Sequence, residues 1–468
     1  MPGAGDDSFN LGLLGAEGLP LTKEEVDAGH LGKNTFGLRL TAILKGGPAE
    51  AAELQKGDLI LGAGRLQFDR KHDPLNTLVE AMEYVATKKD AKFDLTIVRD
   101  GKPKKVPVTL PFLGPHSKTC PLACDRCEKM ASESLAWLAK HQGEGGSFPS
   151  SLGGMNGHVV VTCLAGLAFM ASGSTPDEGP YAKNIVSAAK YVAANCVKDE
   201  MAEMMPKKEG GPNWSQVNWP LTYAPLFLGE YLKKKDDPGL RKALQKFATE
   251  LVQNQEATGG WAHGPGGPNA LDYVELEIMS NFAVAALGIA KDQGCDVPEG
   301  ALQKGVQYIV DCTSGGGVAY STRQGQKGYG EAGRTSGAIF AFARNGLQRT
   351  PTFKPMCDFF RQNMETIPTG HVSPVMHFLT ASLAAQETGP ADWEKFMKFF
   401  RVQFMGDRRP DGSFTARPTK ETVQLHSNTD RQIGLNWTTA TYLIILQLPQ
   451  KKLSYLGAGP GKAKSGNK

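Results

Sequence analysis

A repeated unit of helix, glycine turn and aromatic residue constrains the fold of this chain more than any other feature. The clearest copies are LAWLAKHQGEGGSF at residues 135–148 and LVQNQEATGGW at residues 251–261. Looser copies bring the number to six, with turn residues 43 to 66 positions apart: Phe148, Trp214, Trp261, Tyr320, His371 and Phe414. A unit of this length cannot bury its own apolar face, so each copy must pack against its neighbours.

Two kinds of helix alternate between residues 128 and 448. Helices before the turns have a polar face, as in residues 239–255, whereas helices after the turns are almost wholly apolar, as in residues 158–171 and 437–448. A helix that is apolar all round must be buried on all sides. Six helices of each kind therefore predict two concentric rings, with the apolar helices inside.

This pattern resembles the (α/α)6 toroid of terpenoid cyclases and protein prenyltransferases, which implies an all-α toroid of about twelve helices. The cyclase motif, an aromatic residue and leucine, a glutamine, and a Gly-x-Trp turn, is matched twice. The matching residues are Trp137, Leu138, Gln142, Gly146 and Phe148 in the first copy, and Gln255, Gly259, Gly260 and Trp261 in the second. The resemblance implies that the glutamine and the aromatic residue tie neighbouring helices together. The acidic Asp-x-Asp-Asp and Asp-Asp-x-x-Asp motifs are absent, which disfavours terpene or prenyl chemistry.

Residues 10–112 contain short β-branched runs bounded by glycine, among them FGLRLTAIL at 36–44 and KGDLILGAG at 56–64. Their order resembles a small, mainly-β PDZ domain of the bacterial, protease-associated arrangement. The resemblance implies that the C-terminus of a partner peptide or protein adds as a strand beside residues 38–44. The peptide-binding residues it implies are Phe36, Gly37, Leu38, Leu40 and Leu78. The alternative is a scaffold domain whose groove is unused or is filled by its own chain.

A cysteine-rich stretch, CPLACDRC, lies between these two regions. Cys120, Cys124 and Cys127, with His116, have ligand types and spacing suited to a structural zinc ion. Unliganded or disulfide-linked cysteines are an alternative. The Cys-x3-Cys-x2-Cys spacing also resembles the iron–sulfur signature of radical S-adenosylmethionine enzymes, although no α/β-barrel pattern follows it.

Polar and aromatic residues occur where the inner helices of a closed ring would begin, an end we call the toroid mouth. Because every inner helix starts at that end, these side chains should converge on a cavity. Histidine beside arginine suits proton abstraction in a polysaccharide lyase, and paired carboxylates suit glycoside hydrolysis. Structural roles are the alternative: Asp272 as a helix cap, Arg334 paired with Glu331, and His377 as a core residue. The catalytic candidates are His158, Arg334 and His371, and the cavity candidates are Trp219, Asp272, Glu275, Asp430, Arg431 and Trp437.

Composition restricts the function further. With 52 basic and 48 acidic residues the net charge is +4, which does not indicate a nucleic-acid partner. No apolar run reaches the roughly 18 residues of a membrane span. The N-terminus lacks a signal pattern, which indicates a cytoplasmic protein, or one of the cell envelope or periplasm if a signal has been removed.

The sequence thus predicts a PDZ-like domain at 10–112, a cysteine-containing linker at 113–129, the toroid at 130–450 and a disordered tail at 451–468. Its leading function is PDZ-mediated peptide or protein binding, coupled to a toroid that binds a ligand in its central cavity. The alternative is a carbohydrate-active enzyme, either a polysaccharide lyase or a glycoside hydrolase, in which the PDZ domain is a targeting module.

Overall fold

A computed structural model describes residues 8–457, except for 29–30, 33–34, 70–72, 91, 153, 197–215, 265–274, 324–328, 370–372 and 420–427. The chain divides into two compact units, Met1–Trp137 with Met397–Asn428, and Leu138–Phe396 with Thr429–Lys468. The first unit is therefore larger than the predicted PDZ-like domain, because it also holds the cysteine stretch and a segment from far along the chain.

The first unit contains an antiparallel sheet with strand order β1-β2-β3-β4-β6-β7, in which β5 pairs with β4. The hairpin of β6 and β7 turns at Asp100 and Gly101, both with positive φ, as a two-residue hairpin turn requires. The strands are β1 Phe9–Asn10, β2 Ala16–Pro20, β3 Leu38–Ile43, β4 Leu59–Ala63, β5 Leu66–Gln67, β6 Lys92–Arg99 and β7 Lys102–Thr109. The short helices are α1 Lys23–Ala28, α2 Pro48–Ala51 and α3 Pro74–Val85.

Six nearly apolar helices form the inner ring of the second unit: α5 Gly154–Ala171, α7 Asn218–Lys234, α9 Glu277–Asp292, α11 Ala332–Arg344, α13 Pro374–Thr388 and α16 Leu435–Gln447. Each packs against the next, and α16 packs against α5, so the ring is closed. This confirms the predicted fold class, a small β domain with an (α/α)6 toroid.

Amphipathic helices alternate with the inner ones along the chain. Helices α6, α8, α10 and α12 each pack on the inner helix that precedes them. The amphipathic helices are α4 Asp125–Lys140, α6 Ala182–Asn195, α8 Pro238–Gln253, α10 Glu299–Asp311, α12 Phe353–Asn363 and α14 Pro390–Asp407. Further described elements are a hairpin of β8 Thr313–Ser314 and β9 Gly317–Val318, the short helix α15 Thr429–Ile433, and four 3-10 helices, Gly12–Leu14, Glu144–Gly146, Met364–Thr366 and Leu448–Gln450. Within the described residues, no helix has both the length and the hydropathy needed to cross a membrane.

The two clearest repeat copies use one hydrogen-bond arrangement. Gln142 Nε2 donates to the Gly146 carbonyl of its own turn (2.9 Å) and to the Asn184 carbonyl in the next amphipathic helix (3.1 Å). Gln255 makes the equivalent bonds, of 2.8 and 2.9 Å, with the carbonyls of Gly259 and Ala301. The glutamine therefore ties each turn to the following helix, as the cyclase resemblance implied.

The turn glycines are required by close backbone approach. A Cβ atom on Gly146 would lie 2.3 Å from the carbonyl oxygen of Ser187, and one on Gly259 would lie 2.5 Å from that of Lys304. Both residues also have positive φ. A side chain at either position would push the turn away from its neighbouring helix.

The predicted disordered tail is wrong for residues 451–457. Leu453, Tyr455 and Leu456 are buried. The carboxylate of Glu230, on inner helix α7, accepts hydrogen bonds from the backbone N–H groups of Ser454, Tyr455 and Leu456 (2.6, 2.6 and 3.0 Å). These apolar side chains and the buried acceptor hold the segment against the second unit.

Candidate functional site

The loop after the sheet brings the four predicted metal ligands together. Cys124 lies directly before helix α4 and Cys127 in its first turn, while His116 and Cys120 come from the preceding loop. Their four ligand atoms all lie within 4.8 Å of one another. The Sγ atoms of Cys120 and Cys127 are 3.3 Å apart. His116 Nδ1 lies 3.4 Å from the sulfur of Cys120 and 3.8 Å from those of Cys124 and Cys127.

A second layer of side chains fixes the orientation of the histidine. His116 Nε2 lies 2.9 Å from Glu83 Oε2, on helix α3. Because a carboxylate accepts, this contact places the proton on Nε2 and turns Nδ1 toward the sulfur atoms. Glu83 is held in turn by an ion pair with Arg126, whose guanidinium is buried and also donates to the Gly114 carbonyl (3.2 Å).

The pKa values within the cluster favour a negatively charged Cys120 beside a positively charged His116. Hydrogen bonding from Cys127 is the main cause that lowers the pKa of Cys120 to about 4; burial opposes it, and His116 adds to it. Burial acts to lower the pKa of His116, but Cys120 and Glu83 raise it to about 9. The pKa of Cys127 is raised, chiefly by its hydrogen bond with Cys120 and by burial. The Cys120 thiolate and the His116 imidazolium therefore form an ion pair within the cluster.

The predicted catalytic residues of the toroid have separate partners. His158 Nε2 donates to the Ser150 carbonyl (3.2 Å). Arg334 is buried and pairs with Glu331 (2.6 Å), the structural alternative that the sequence left open. His371 lies outside the described residues. The described structure therefore does not show the three predicted catalytic residues together.

Most of the predicted cavity residues have identifiable hydrogen-bond partners. Trp219 Nε1 donates to His263 Nδ1 (2.9 Å), and Glu275 accepts from the Thr258 hydroxyl (3.0 Å). Arg431 is half-buried in helix α15. Asp272 lies outside the described residues. His377 is 1 % exposed and packs against Gly333, as a core residue of the structural alternative would.

Asp430 is a buried carboxylate with a full set of donors. It accepts from the Ser373 hydroxyl (2.6 Å), the Val375 backbone N–H (3.0 Å) and Trp437 Nε1 (2.8 Å). Burial raises its pKa to about 6, although these bonds oppose the shift. Because two of the donors lie at the start of helix α13, Asp430 and Trp437 join α13 to α16 in the inner ring.

Glu277, the first residue of inner helix α9, was missed by the sequence analysis. Its side chain is 0 % exposed, and neither carboxylate oxygen has a hydrogen-bond partner among the described residues. Burial raises its pKa well above the ordinary value, and the charge of Arg334 and a side-chain interaction with Asn281 only partly oppose this. The amide of Asn281 also donates to the Arg334 carbonyl (3.1 Å). The sequence signal was an acidic residue at the start of a helix that, apart from Ser280 and Asn281, is apolar to Ala290.

The predicted peptide-binding edge is wrong. Strand β3 lies inside the sheet, paired with β2 on one side and with β4 on the other. Leu38, Leu40 and Leu78 are buried, and the Gly37 carbonyl accepts from the Leu21 N–H (3.0 Å), while Phe36 is half-buried beside them. A peptide cannot add beside β3 without displacing one of these strands.

A segment of the chain itself lies against helix α3 and the loop between β1 and β2. Asn10 Nδ2 donates to the carbonyls of Gly406 and Arg408 (3.0 and 3.3 Å), and Arg417 Nη1 donates to Asn76 Oδ1 (2.6 Å). This part of the first unit is therefore filled by residues 406–417, which agrees with the alternative of a groove occupied by its own chain.

The family model described as "Domain of unknown function (DUF6288)" matches residues 134–457, more than half of the chain. The chain belongs to this family. No curated protein matches it. The DUF6288 region starts after the cysteine–histidine cluster and includes Glu277 and Asp430.

Solved structures share the architecture of the DUF6288 region. An inactive variant of the α-1,6-mannanase of Salegentibacter sp. HEL1_6, in complex with α-1,6-mannotetrose, is 10% identical, with 69% of this chain and 98% of that chain covered and a TM-score of 0.47. The type II terpene cyclase MstE from Scytonema is 13% identical, with 70% and 99% covered and a TM-score of 0.40. At such identities the likeness concerns the fold alone.

An HtrA-type protease, AlgW with a decapeptide, is also similar, at 22% identity and a TM-score of 0.19. The match covers 24% of this chain and 31% of that protease. A likeness of this extent does not establish a PDZ domain.

Proposed function

We propose that the toroid of this DUF6288 protein is a glycoside hydrolase, and that Glu277 is its general acid. The observation that carries the proposal is the state of that side chain: fully buried, without a hydrogen-bond partner for either oxygen among the described residues, and with a raised pKa. Leaving a buried polar group unsatisfied destabilises a protein by about 1–3 kcal/mol. A position with no functional role would more favourably hold leucine or methionine.

The chemistry follows from the protonation state. A general acid must still hold its proton at the working pH, whereas an ordinary glutamate ionises near pH 4.3. Burial keeps Glu277 neutral, so it can donate a proton to the leaving oxygen of a glycosidic bond. In the same reaction a water molecule would add to the anomeric carbon and lose its proton to a second carboxylate or to solvent. A second titratable carboxyl, Asp430, has a pKa of about 6, but its three donors suit it to holding the inner ring in place.

Arg334 indicates the charge of the substrate. Its guanidinium is buried and lies close enough to Glu277 to act on the pKa of that carboxyl. Glu331 and the carbonyls of Val318 and Tyr329 bind this guanidinium, so an anionic ligand group, such as the carboxylate of a uronic acid, would bind by exchanging with Glu331. We therefore propose acidic polysaccharides as the substrate class.

The experiment is a reducing-end assay of the full chain on acidic and neutral polysaccharides. Glu277→Gln should lower the rate by about 100-fold or more, the usual contribution of a general acid. Glu275→Gln, two residues away and bonded to Thr258, is the matched control and should retain activity. Cleavage that yields an unsaturated sugar would favour a lyase instead. No cleavage of any polysaccharide, or full activity in Glu277→Gln, would refute the proposal.

A further inference from the structure

We propose that His116, Cys120, Cys124 and Cys127 bind one zinc ion in a closed tetrahedral site. This site is independent of the proposed toroid activity, since it lies in the first unit and outside the region matched by the family model. Its role is structural, because four protein ligands leave no coordination position open for a substrate.

The distances between ligand atoms fit one ion. Zinc–sulfur bonds of about 2.3 Å and zinc–nitrogen bonds of about 2.0–2.1 Å at tetrahedral angles separate two sulfurs by about 3.8 Å, and sulfur from nitrogen by about 3.6 Å. The Cys120–Cys127 separation is 3.3 Å, and the three sulfur–Nδ1 separations are 3.4, 3.8 and 3.8 Å. Each lies within about 0.5 Å of the expected value for a zinc-bound cluster.

The same distances disfavour the two other arrangements that the sequence left open. A disulfide joins two sulfurs at about 2.05 Å and turns both away from further ligands, whereas here three sulfurs and a ring nitrogen face one point. An iron–sulfur cluster spreads its cysteine ligands around several iron atoms. Four ligand atoms that all lie within 4.8 Å of one another enclose a single ion instead.

The surrounding residues complete the site. His116 presents Nδ1 to the sulfurs because its other nitrogen is held by Glu83, and Glu83 is held by the buried Arg126. A carboxylate behind a metal-binding histidine is the usual second layer of zinc sites. Three thiolates and Zn²⁺ together carry one negative charge, and Arg401 acts on Cys120 as a nearby positive charge.

The site would join three parts of the first unit. Cys124 and Cys127 belong to the start of helix α4, His116 and Cys120 to the loop after β7, and Glu83 to helix α3. The loop consists of turns, closed by bonds from the Cys120 N–H to the Ser117 carbonyl (3.3 Å) and from the Leu122 N–H to the Thr119 carbonyl (2.9 Å). The hydroxyls of Ser117 and Thr119 also donate to the Leu122 carbonyl (2.8 and 2.9 Å). A metal would therefore fix a connection that contains little apolar surface.

The test is elemental analysis of the full chain, purified under reducing conditions without chelator. We expect about one equivalent of zinc in the wild type and in Cys295→Ser, a control thiol far along the chain. Cys124→Ser should lose the metal. Cobalt substitution should give the charge-transfer and ligand-field bands of a tetrahedral thiolate site in the wild type and control.

A second variant tests zinc binding in case Cys124→Ser does not fold. Glu83→Gln keeps all four ligands and should weaken zinc binding by about 10- to 100-fold in a competition with a chromogenic chelator. Zinc-free protein in which all three thiols are freely alkylated would overturn the proposal. So would a Cys120–Cys127 disulfide found by mass spectrometry, or iron in place of zinc.

Discussion

The cysteine–histidine cluster of the first unit and the Glu277 region of the toroid both bury ionisable groups, but in opposite ways. In the cluster, four ligand atoms face one another, and Glu83 and Arg126 support them from behind. Glu277 has no hydrogen-bond partner among the described residues. Asp430 stands between these cases, since it is as buried as Glu277 but accepts three hydrogen bonds.

The difference shows that burial alone does not identify a functional group. Ligand atoms that face one point can bind a cation there. A buried carboxyl that accepts no hydrogen bonds, by contrast, is stable only when it keeps its proton. A carboxylate that is buried and fully bonded is most simply a structural residue. Each of the following predictions separates these cases by experiment.

Removal of metal should have the largest effect. Metal binding contributes directly to folding, by as much as about 10–16 kcal/mol in isolated zinc-finger peptides. A strong chelator should therefore accelerate amide hydrogen exchange in residues 116–130 by at least about tenfold, and leave helices α9 and α11 unchanged. Equal exchange rates with and without chelator would show that no bound metal stabilises the cluster.

Loss of the Asp430 carboxylate should have the next largest effect. Asp430→Ala leaves the Ser373 hydroxyl, the Val375 N–H and the Trp437 indole without their acceptor, which should destabilise the second unit by about 3–5 kcal/mol. Asp430→Asn keeps one acceptor oxygen and should have a smaller effect. Tryptophan fluorescence during urea unfolding measures both. A change below about 0.5 kcal/mol for Asp430→Ala would contradict the structural role.

The smallest effect should come from Glu277→Gln, and it should depend on pH. Because the folded-state pKa of Glu277 is raised, the unfolded chain ionises first, so the stability from this group is complete below about pH 4.3 and falls as pH rises above it. Glutamine does not titrate. Relative to the wild type, the variant should gain stability between pH 4 and pH 8, by about 1.4 kcal/mol for each unit of pKa shift.

The wild type, measured over the same pH range, is the reference for this variant. Titration of Asp430 occurs in both proteins and cancels in the difference. If the stability difference between Glu277→Gln and the wild type does not change with pH, this carboxyl is ionised in the folded protein. It could then not serve as a general acid.

The parts of the structure that follow from local pattern could be predicted from the sequence. The closed toroid was predictable because helices apolar on all sides alternate with amphipathic ones, and the glutamine turns because each lies within one copy of the repeat. The four candidate metal ligands lie within twelve residues of one another, so the proximity of their side chains could be predicted, while their binding of a metal stays a prediction.

The parts that depend on distant partners could not be predicted. Glu277 is one acidic residue at the head of an apolar run, and its isolation depends on what the other helices place beside it. The pairing of β3 with β2 was missed because a strand pattern does not specify its neighbour. Helix α14 runs without a break from Pro390 to Asp407, yet the first unit includes its residues from Met397 onward. Because the helix pattern does not change at Met397, the sequence does not indicate this boundary.

Closure of the inner ring has a consequence for synthesis. The first inner helix, α5, packs against the last, α16, although α16 begins 264 positions after the end of α5 at Ala171. A nascent chain that has made only five inner helices is an open arc, whose two end helices expose apolar flanks. The toroid therefore completes its core only once the chain has been made to residue 447, and chains that end earlier should aggregate more readily than the full chain.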